Sequence, residues 1–333
     1  MKAFGFKKYY PIDHQDSFTE FSADRPQLRN HDVLVEIQGI SLNPVDIATR
    51  KQVTKELDKP MIVGFDGYGK IVDKGSQVDK FDIGDVVFFA GDHSREGSYA
   101  EYTAIDERIV ALAPTKVSLE EAVAMPLTSL TAYEALVDKL GIDLNADNSD
   151  KSVLIINGSG GVGSIATQLA KIARLHVTAT ASPKNTQWVT SLGADEVIDH
   201  HQDLVKQLND KMFDYILVFA PVDPHWDEIV HLIKPFGKIV AITNMNSNIN
   251  DLKPKAASFE WEYMFAKSLY QTQNMATQGQ YLSDIARWLD EGKIKSTLNK
   301  TFVGFNLNNI KEATKLLEDG HVTGKIVIKK DVN

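Results

Sequence analysis

Six consecutive residues, Gly158-Ser159-Gly160-Gly161-Val162-Gly163, carry the clearest chemistry in the chain. Glycines at the first, third and sixth places let a loop turn tightly, approach a pyrophosphate with its backbone, and pack the following helix closely on the preceding strand. Before the loop lies Ser152-Val153-Leu154-Ile155-Ile156, a continuous apolar run of the kind a strand buried on both faces requires. After it, Ile165, Leu169 and Ile172 fall on one helical face. At such a junction phosphates meet the free N–H groups of a helix N-terminus, so the six residues predict a dinucleotide site. A carboxylate about 20 residues further on would hold the ribose 2′-OH of NAD. The segment there reads Thr180-Ala181-Ser182-Pro183-Lys184-Asn185 and contains no acid. A hydroxyl and an ammonium suit a 2′-phosphate, so Ser182 and Lys184 predict NADP(H); the other reading of Lys184 is a solvated first-turn lysine.

The elements that must position this loop follow from periodicity. Strands near 176–181, 196–199, 214–219 and 237–242 alternate with helices at 161–174 and 184–192, which means βαβ units and a parallel sheet. The first 125 residues read differently: short strands at 33–40, 69–75 and 85–90, bounded by turn residues, predict a barrel-like antiparallel unit. Ser118 and Glu121 form a capping box that opens a helix, and a second helix is expected over 129–140. The C-terminal segment offers helices at 281–289 and 308–317 and strands at 300–303 and 324–330, which could join either sheet.

The 333 residues exceed the roughly 250–300 at which single cores stop growing, so two domains are expected. Net charge is −9 with no long basic run, which disfavours nucleic acid and anionic membranes as partners. No stretch of eighteen apolar residues could span a bilayer, and the N-terminus lacks the apolar core of a signal peptide. Cysteine is absent, which removes thiolate catalysis and every thiolate metal ligand. A cytoplasmic enzyme fits these observations best.

Further landmarks are Asn43-Pro44-Val45-Asp46, Gly64-Phe65-Asp66-Gly67-Tyr68-Gly69, Phe81-Asp82-Ile83-Gly84-Asp85-Val86-Val87, Gly97-Ser98-Tyr99-Ala100-Glu101-Tyr102 and Leu130-Thr131-Ala132-Tyr133-Glu134-Ala135-Leu136. With them, nearly the whole chain resembles the medium-chain dehydrogenase/reductase superfamily. Within it the chain looks most like the zeta-crystallin type of quinone oxidoreductase and a neighbouring branch labelled zinc-type alcohol dehydrogenase-like. The resemblance implies an α/β protein with a GroES-like β-barrel domain (1–125 and 267–333) and a Rossmann doubly wound parallel-sheet domain (126–266). It places cofactor and a small carbonyl or quinone substrate in the cleft between them. It also implies a homodimer joined through the Rossmann sheet edge, here near 237–245.

In zinc-dependent members a cysteine, a histidine and a second cysteine hold the metal. The matching positions here are Asn43, Phe65 and Leu127, with a nearby acid at Asp66. Phenylalanine and leucine cannot coordinate, so no metal is expected. Without a Lewis acid, reduction of an electron-poor acceptor is the favoured chemistry. The reading is therefore a zinc-independent NADPH-dependent reductase of quinones or α,β-unsaturated carbonyls. The alternatives are an alcohol dehydrogenase that recruits zinc through Asp66 and a histidine, and a non-catalytic NADPH-binding protein.

The resemblance assigns further candidates. The Asn43 amide could donate to a substrate carbonyl, or serve only as a turn residue before Pro44. Thr128 and Tyr68 could line the pocket, Tyr68 with a phenol able to relay a proton. Thr131 matches a nicotinamide contact, or is back-bonded to its own helical turn. His200 matches a position beside the adenosine; Phe219 and Thr243 follow strands whose loops meet the nicotinamide ribose; Lys325 could orient the cofactor or face solvent from its strand. The aromatic stretch from Phe259 to Phe265 reads as a buried helix face in preference to a pocket wall.

Overall fold

A computed structural model of the chain describes residues 1–320 and 322–331. The chain divides into two compact units, one of Met1–Leu130 with Phe265–Asn333 and one of Thr131–Met264.

The inserted unit is built on a parallel sheet that starts at the apolar strand Ser152–Ile156. His176–Ala181 and then Glu196–Asp199 lie to one side of it. Phe213–Val218, Ile233–Ala241 and Ser258–Trp261 lie to the other. The order of strands thus reverses at Ser152–Ile156, the switch point of a doubly wound fold, where the carboxyl ends of the strands open a crevice. Leu154, Ile216 and Val218 pack with Trp226, Ile229 and Leu232 from the helix Trp226–Leu232. The helix Gly161–Ile172 returns the chain from the first strand to the second.

Two expectations are corrected here. The segment near 237–245 is not the sheet edge, because Ile233–Ala241 is paired on both sides. The edge is Ser258–Trp261, so the aromatic stretch opens as a strand and not as a helix face. Phe259 and Trp261, two apart, share one face of that strand: their rings meet edge-on at 4.8 Å, Phe259 also packs edge-on to Trp226 at 6.1 Å, and Trp261 is 46% exposed.

In the other unit the long strand Asp32–Ser41 is buried at almost every position and pairs antiparallel with Asp66–Lys74, Tyr102–Asp106 and Lys325–Lys329. The last of these, with its parallel neighbour Leu298–Val303, settles where the C-terminal segment goes: it extends this sheet. Phe4, Ile37, Ile71, Phe89, Ile326 and Ile328 share its core. Helix Pro44–Gln52 is anchored by Arg50, whose buried guanidinium donates to Tyr10 O and Ser17 O, pairs with Glu318 and lies over the Phe18 ring. The capping box forms as predicted, with the Ser118 hydroxyl accepting from Glu121 N and the Glu121 carboxylate from Ser118 N. The second helix runs Pro126–Tyr133 and continues as a π-type turn, Glu134–Lys139.

Candidate active site

Because the strands of the inserted unit are parallel, their carboxyl ends share one edge, and that edge carries the loop. Asn157, at φ +70, ends the first strand and ties two neighbours: its N–H donates to Thr180 Oγ1 at 2.9 Å and its Nδ2 to Phe219 O at 3.0 Å. Gly160 then caps the helix with no side-chain hydrogen bond, which leaves the first N–H groups without a protein side chain to receive them. A Cβ at Gly163 would lie 2.1 Å from Asn157 O, so this crossing requires glycine. The donor set fits a pyrophosphate: backbone N–H groups at a helix end, with no carboxylate in the loop.

The second strand delivers Ser182 and Lys184 to the same edge, Lys184 exposed in the short turn Pro183–Asn185. Asn185, which sequence reasoning passed over, donates to both Ser159 Oγ and Ser182 Oγ at 3.3 Å, joining the loop to the second strand end. His200 follows the third strand, whose last residue Asp199 pairs with Ala181, and burial together with His201 holds its imidazole below the usual range. Phe219 follows the fourth strand, buried. Thr243 follows the fifth and donates to Ala220 O at 3.0 Å. Thr131 is buried on the helix Pro126–Tyr133.

The other unit joins Asn43, Asp66 and the Leu127 N–H, three of the four positions the sequence linked to metal binding, with Lys325. Asn43 is fully buried; its Nδ2 donates to Asp66 Oδ2 at 2.8 Å and its Oδ1 accepts from Lys325 Nζ. The Lys325 ammonium also donates to Leu42 O at 2.7 Å and to Asp66 Oδ2 at 3.1 Å. Asp66 Oδ1 in turn accepts the Leu127 N–H at 2.7 Å. The Asn43 amide is therefore engaged at both ends, and Lys325 is buried and not solvent-facing, its ammonium bonded to Leu42, Asn43 and Asp66. Both act inside this cluster. The Phe65 and Leu127 side chains present only hydrocarbon, and the Asn43 and Asp66 oxygens are already held by the Lys325 ammonium, the Asn43 amide and the Leu127 N–H, so the set does not fit a zinc ion.

Beside it, Asp46 accepts Asn43 N at 2.7 Å and the Tyr99 hydroxyl at 3.3 Å. Burial pushes its carboxyl up to about 7, against the opposing pull of the Asn43 N–H and the Lys325 charge. Thr128 donates back to Met125 O at 3.2 Å, within its own turn. Tyr68 packs on Val123, Ala124 and Val327, and burial raises its phenol. Among the described residues, the single trio of side chains able to gather on a metal is Asp199, His200 and His201, with ligand atoms within 4.8 Å. It belongs to the parallel-sheet unit, includes none of Asn43, Phe65 or Asp66, and its Asp199 Oδ1 is already bonded to His201 Nδ1 at 2.8 Å.

The chain is similar to known proteins over nearly its whole length. Residues 29–115 match the alcohol dehydrogenase GroES-like domain, and residues 192–328 match the zinc-binding dehydrogenase family. A zinc-type alcohol dehydrogenase-like protein of Staphylococcus epidermidis is 42% identical over 336 residues, covering 98% of this chain and 99% of the relative. The 2-methylene-furan-3-one reductase of Solanum lycopersicum is 33% identical over 340 residues, covering 98% of this chain and 79% of the relative. Among solved structures, the quinone oxidoreductase from Coxiella burnetii has a TM-score of 0.82 at 26% identity, covering 99% of each chain. Among the described residues no helix is long and apolar enough to cross a membrane.

Proposed function

Since the chain belongs to the medium-chain dehydrogenase/reductase superfamily, we propose that it is an NADPH-dependent reductase of quinones or α,β-unsaturated carbonyls that works without zinc. The observation that carries this reading is the Lys325 ammonium bonded to Asn43 and Asp66, where the metal-binding members of the superfamily keep their ligands. A fixed cation already satisfies the acid, so alcohol oxidation through a metal-bound alkoxide has no support in these residues. Reduction of an electron-poor acceptor asks less of the protein: binding, orientation, exclusion of water and a proton.

When bound, the nicotinamide supplies the hydride. Gly158, Ser159, Gly160, Gly161, Val162 and Gly163 would hold its pyrophosphate. Ser182, Lys184 and Asn185 would hold the 2′-phosphate, which favours NADPH over NADH. His200 would lie at the adenosine, and Thr131, Phe219 and Thr243 at the nicotinamide end. Asn43 and Lys325 act as positioning residues, stiffening the strand and helix starts around Asp66. Tyr68 and Thr128 belong to the pocket wall in this reading. The names of the tomato and Coxiella relatives support the enone and quinone acceptors respectively. A cytoplasmic homodimer, formed along the edge strand Ser258–Trp261, completes the proposal.

The test is NADPH oxidation by purified protein across a panel of quinones, enones and aldehydes, beside alcohol oxidation with NADP and metal analysis. Turnover of quinones or enones by metal-free protein is the expected result. Stoichiometric zinc with alcohol oxidation would overturn it, as would tight NADPH binding with no turnover.

A further inference from the structure

The loop after strand Val86–Phe89 carries an imidazole that the function above leaves unused. Gly91, at φ +70, crosses the Phe65 backbone so closely that a Cβ would lie 2.9 Å from Phe65 O. Asp92 then accepts Ser94 N at 2.9 Å and Ser94 Oγ at 2.8 Å. Arg95 forks onto Asp32 at 2.7 and 2.6 Å. His93 is thus held between braced points. Its ring lies nearly parallel to Phe65, with centroids 5.4 Å apart and planes 14° apart, and edge-on to Phe265 at 5.5 Å. Its Nε2 is 3.2 Å from Thr49 Oγ1. Phe65 and Phe265 are buried, whereas His93 and Thr49 are half-buried.

Phe65 and Phe265, buried and packed on each other at 4.7 Å, form an apolar floor beneath the half-buried His93 and Thr49, whose polar edges are the part suited to a carbonyl oxygen. The charged neighbours are already engaged, Asp92 by Ser94, Asp32 by Arg95, and Asp66 by Asn43 and Lys325. Histidine is also the side chain that gains and loses a proton most readily near neutral pH. We propose that Phe65, Phe265, Thr49 and His93 form the acceptor subsite and that His93 is the proton donor. This rests on the reductase reading. As hydride, carrying two electrons, reaches the conjugated carbon, the π pair moves onto the carbonyl oxygen. That oxygen takes the proton from Nδ1 of the His93 imidazolium: the N–H bond breaks, an O–H bond forms, and the one proton the overall reduction consumes enters from bulk solvent to recharge the neutral imidazole. Thr49, bonded to Nε2, fixes the ring.

The test uses the full chain with His93→Ala, His93→Gln and Thr49→Val. In wild-type reductase assays His93→Ala should lower kcat by about 100-fold or more, with the KM for NADPH unchanged, and added imidazole should restore part of the rate. The same sites are read without cofactor by titrating 4-nitrophenol, a mimic of the reduced acceptor. Wild type should bind it with the bound phenol ionised, and His93→Ala should bind it at least about 10-fold more weakly, with His93→Gln and Thr49→Val folded controls of intermediate effect. Equal 4-nitrophenol binding by wild type and His93→Ala overturns the subsite. A wild type that oxidises no NADPH yet loses 4-nitrophenol binding on His93→Ala would refute the reductase reading and uphold the subsite. Unchanged kcat in folded His93→Ala would refute the proton-donor role.

Discussion

Replacing Lys325 by methionine isolates what the buried ammonium does. Its Nζ is bonded to Leu42 O, Asn43 Oδ1 and Asp66 Oδ2, and Asp66 is wholly buried. Methionine has similar length but offers no donor and no charge. Asp66 would keep the Asn43 amide and the Leu127 N–H while losing its counter-charge. Removing one partner of a buried ion pair costs about 3–5 kcal/mol, a large part of the roughly 5–15 kcal/mol that keeps a protein folded. In a unit of about 200 residues each kcal/mol lowers Tm by about 2–4 °C, so Lys325→Met should lose about 6–20 °C. Adding Asp66→Asn removes the stranded charge. The remaining penalty is then that of unpaired hydrogen-bonding groups, about 1–3 kcal/mol, and the double variant should be more stable than the single one. Thermal melts by circular dichroism at one pH and salt concentration measure all three proteins. A single variant within about 1 kcal/mol of wild type, or a double variant less stable than the single, would refute the coupling.

Asp46 gives a pH signature. With a folded value of about 7 and an unfolded value near 3.9, the native state holds a proton the unfolded chain has lost between those limits. Stability from this group is therefore complete below about pH 4 and falls by about 1.4 kcal/mol per pH unit as pH rises toward 7; Asp46→Asn should flatten that slope in pH-dependent melts. Lys184→Glu should lower kcat/KM for NADPH by about 10-fold or more while sparing NADH, and equal losses for both would show that the lysine does not read the 2′-phosphate. Gly163→Ala, driven into Asn157 O, should weaken NADPH binding by at least about 10-fold in a fluorescence titration.

Local patterns made most of the fold legible. The apolar run at 152–156, the glycine spacing and the Ser118–Glu121 box each act over a few residues, so sequence reports them directly. The aromatic stretch misled because Phe259, Trp261 and Tyr263 satisfy a period of two as well as Phe259, Glu262 and Phe265 suit a helical face; pairing with Ile233–Ala241 decides it, and pairing is tertiary. The roles of Asn43 and Lys325 depend on a contact across 282 positions, which no local window contains. His93 and Asn185 were hidden for the same reason. Neither stands in a recognisable motif, and only the folded loops set one against Phe65 and the other against Ser159.

The strand that carries Lys325 has a consequence for the order in which the molecule is made. It lies between Asp32–Ser41 and Leu298–Val303, so the first sheet stays open at that place until the chain beyond residue 325 has emerged. At about 5–20 residues per second, ribosomes need roughly 10–40 s to pass from residue 130 to residue 325. Within that interval, once Trp261 has emerged, the parallel sheet, drawn from one unbroken segment, has every strand it requires. Asn43 and Asp66, by contrast, wait for their cation. Nascent chains arrested after Met264 has emerged but before residue 325 should accordingly expose the first unit to protease while the second resists it.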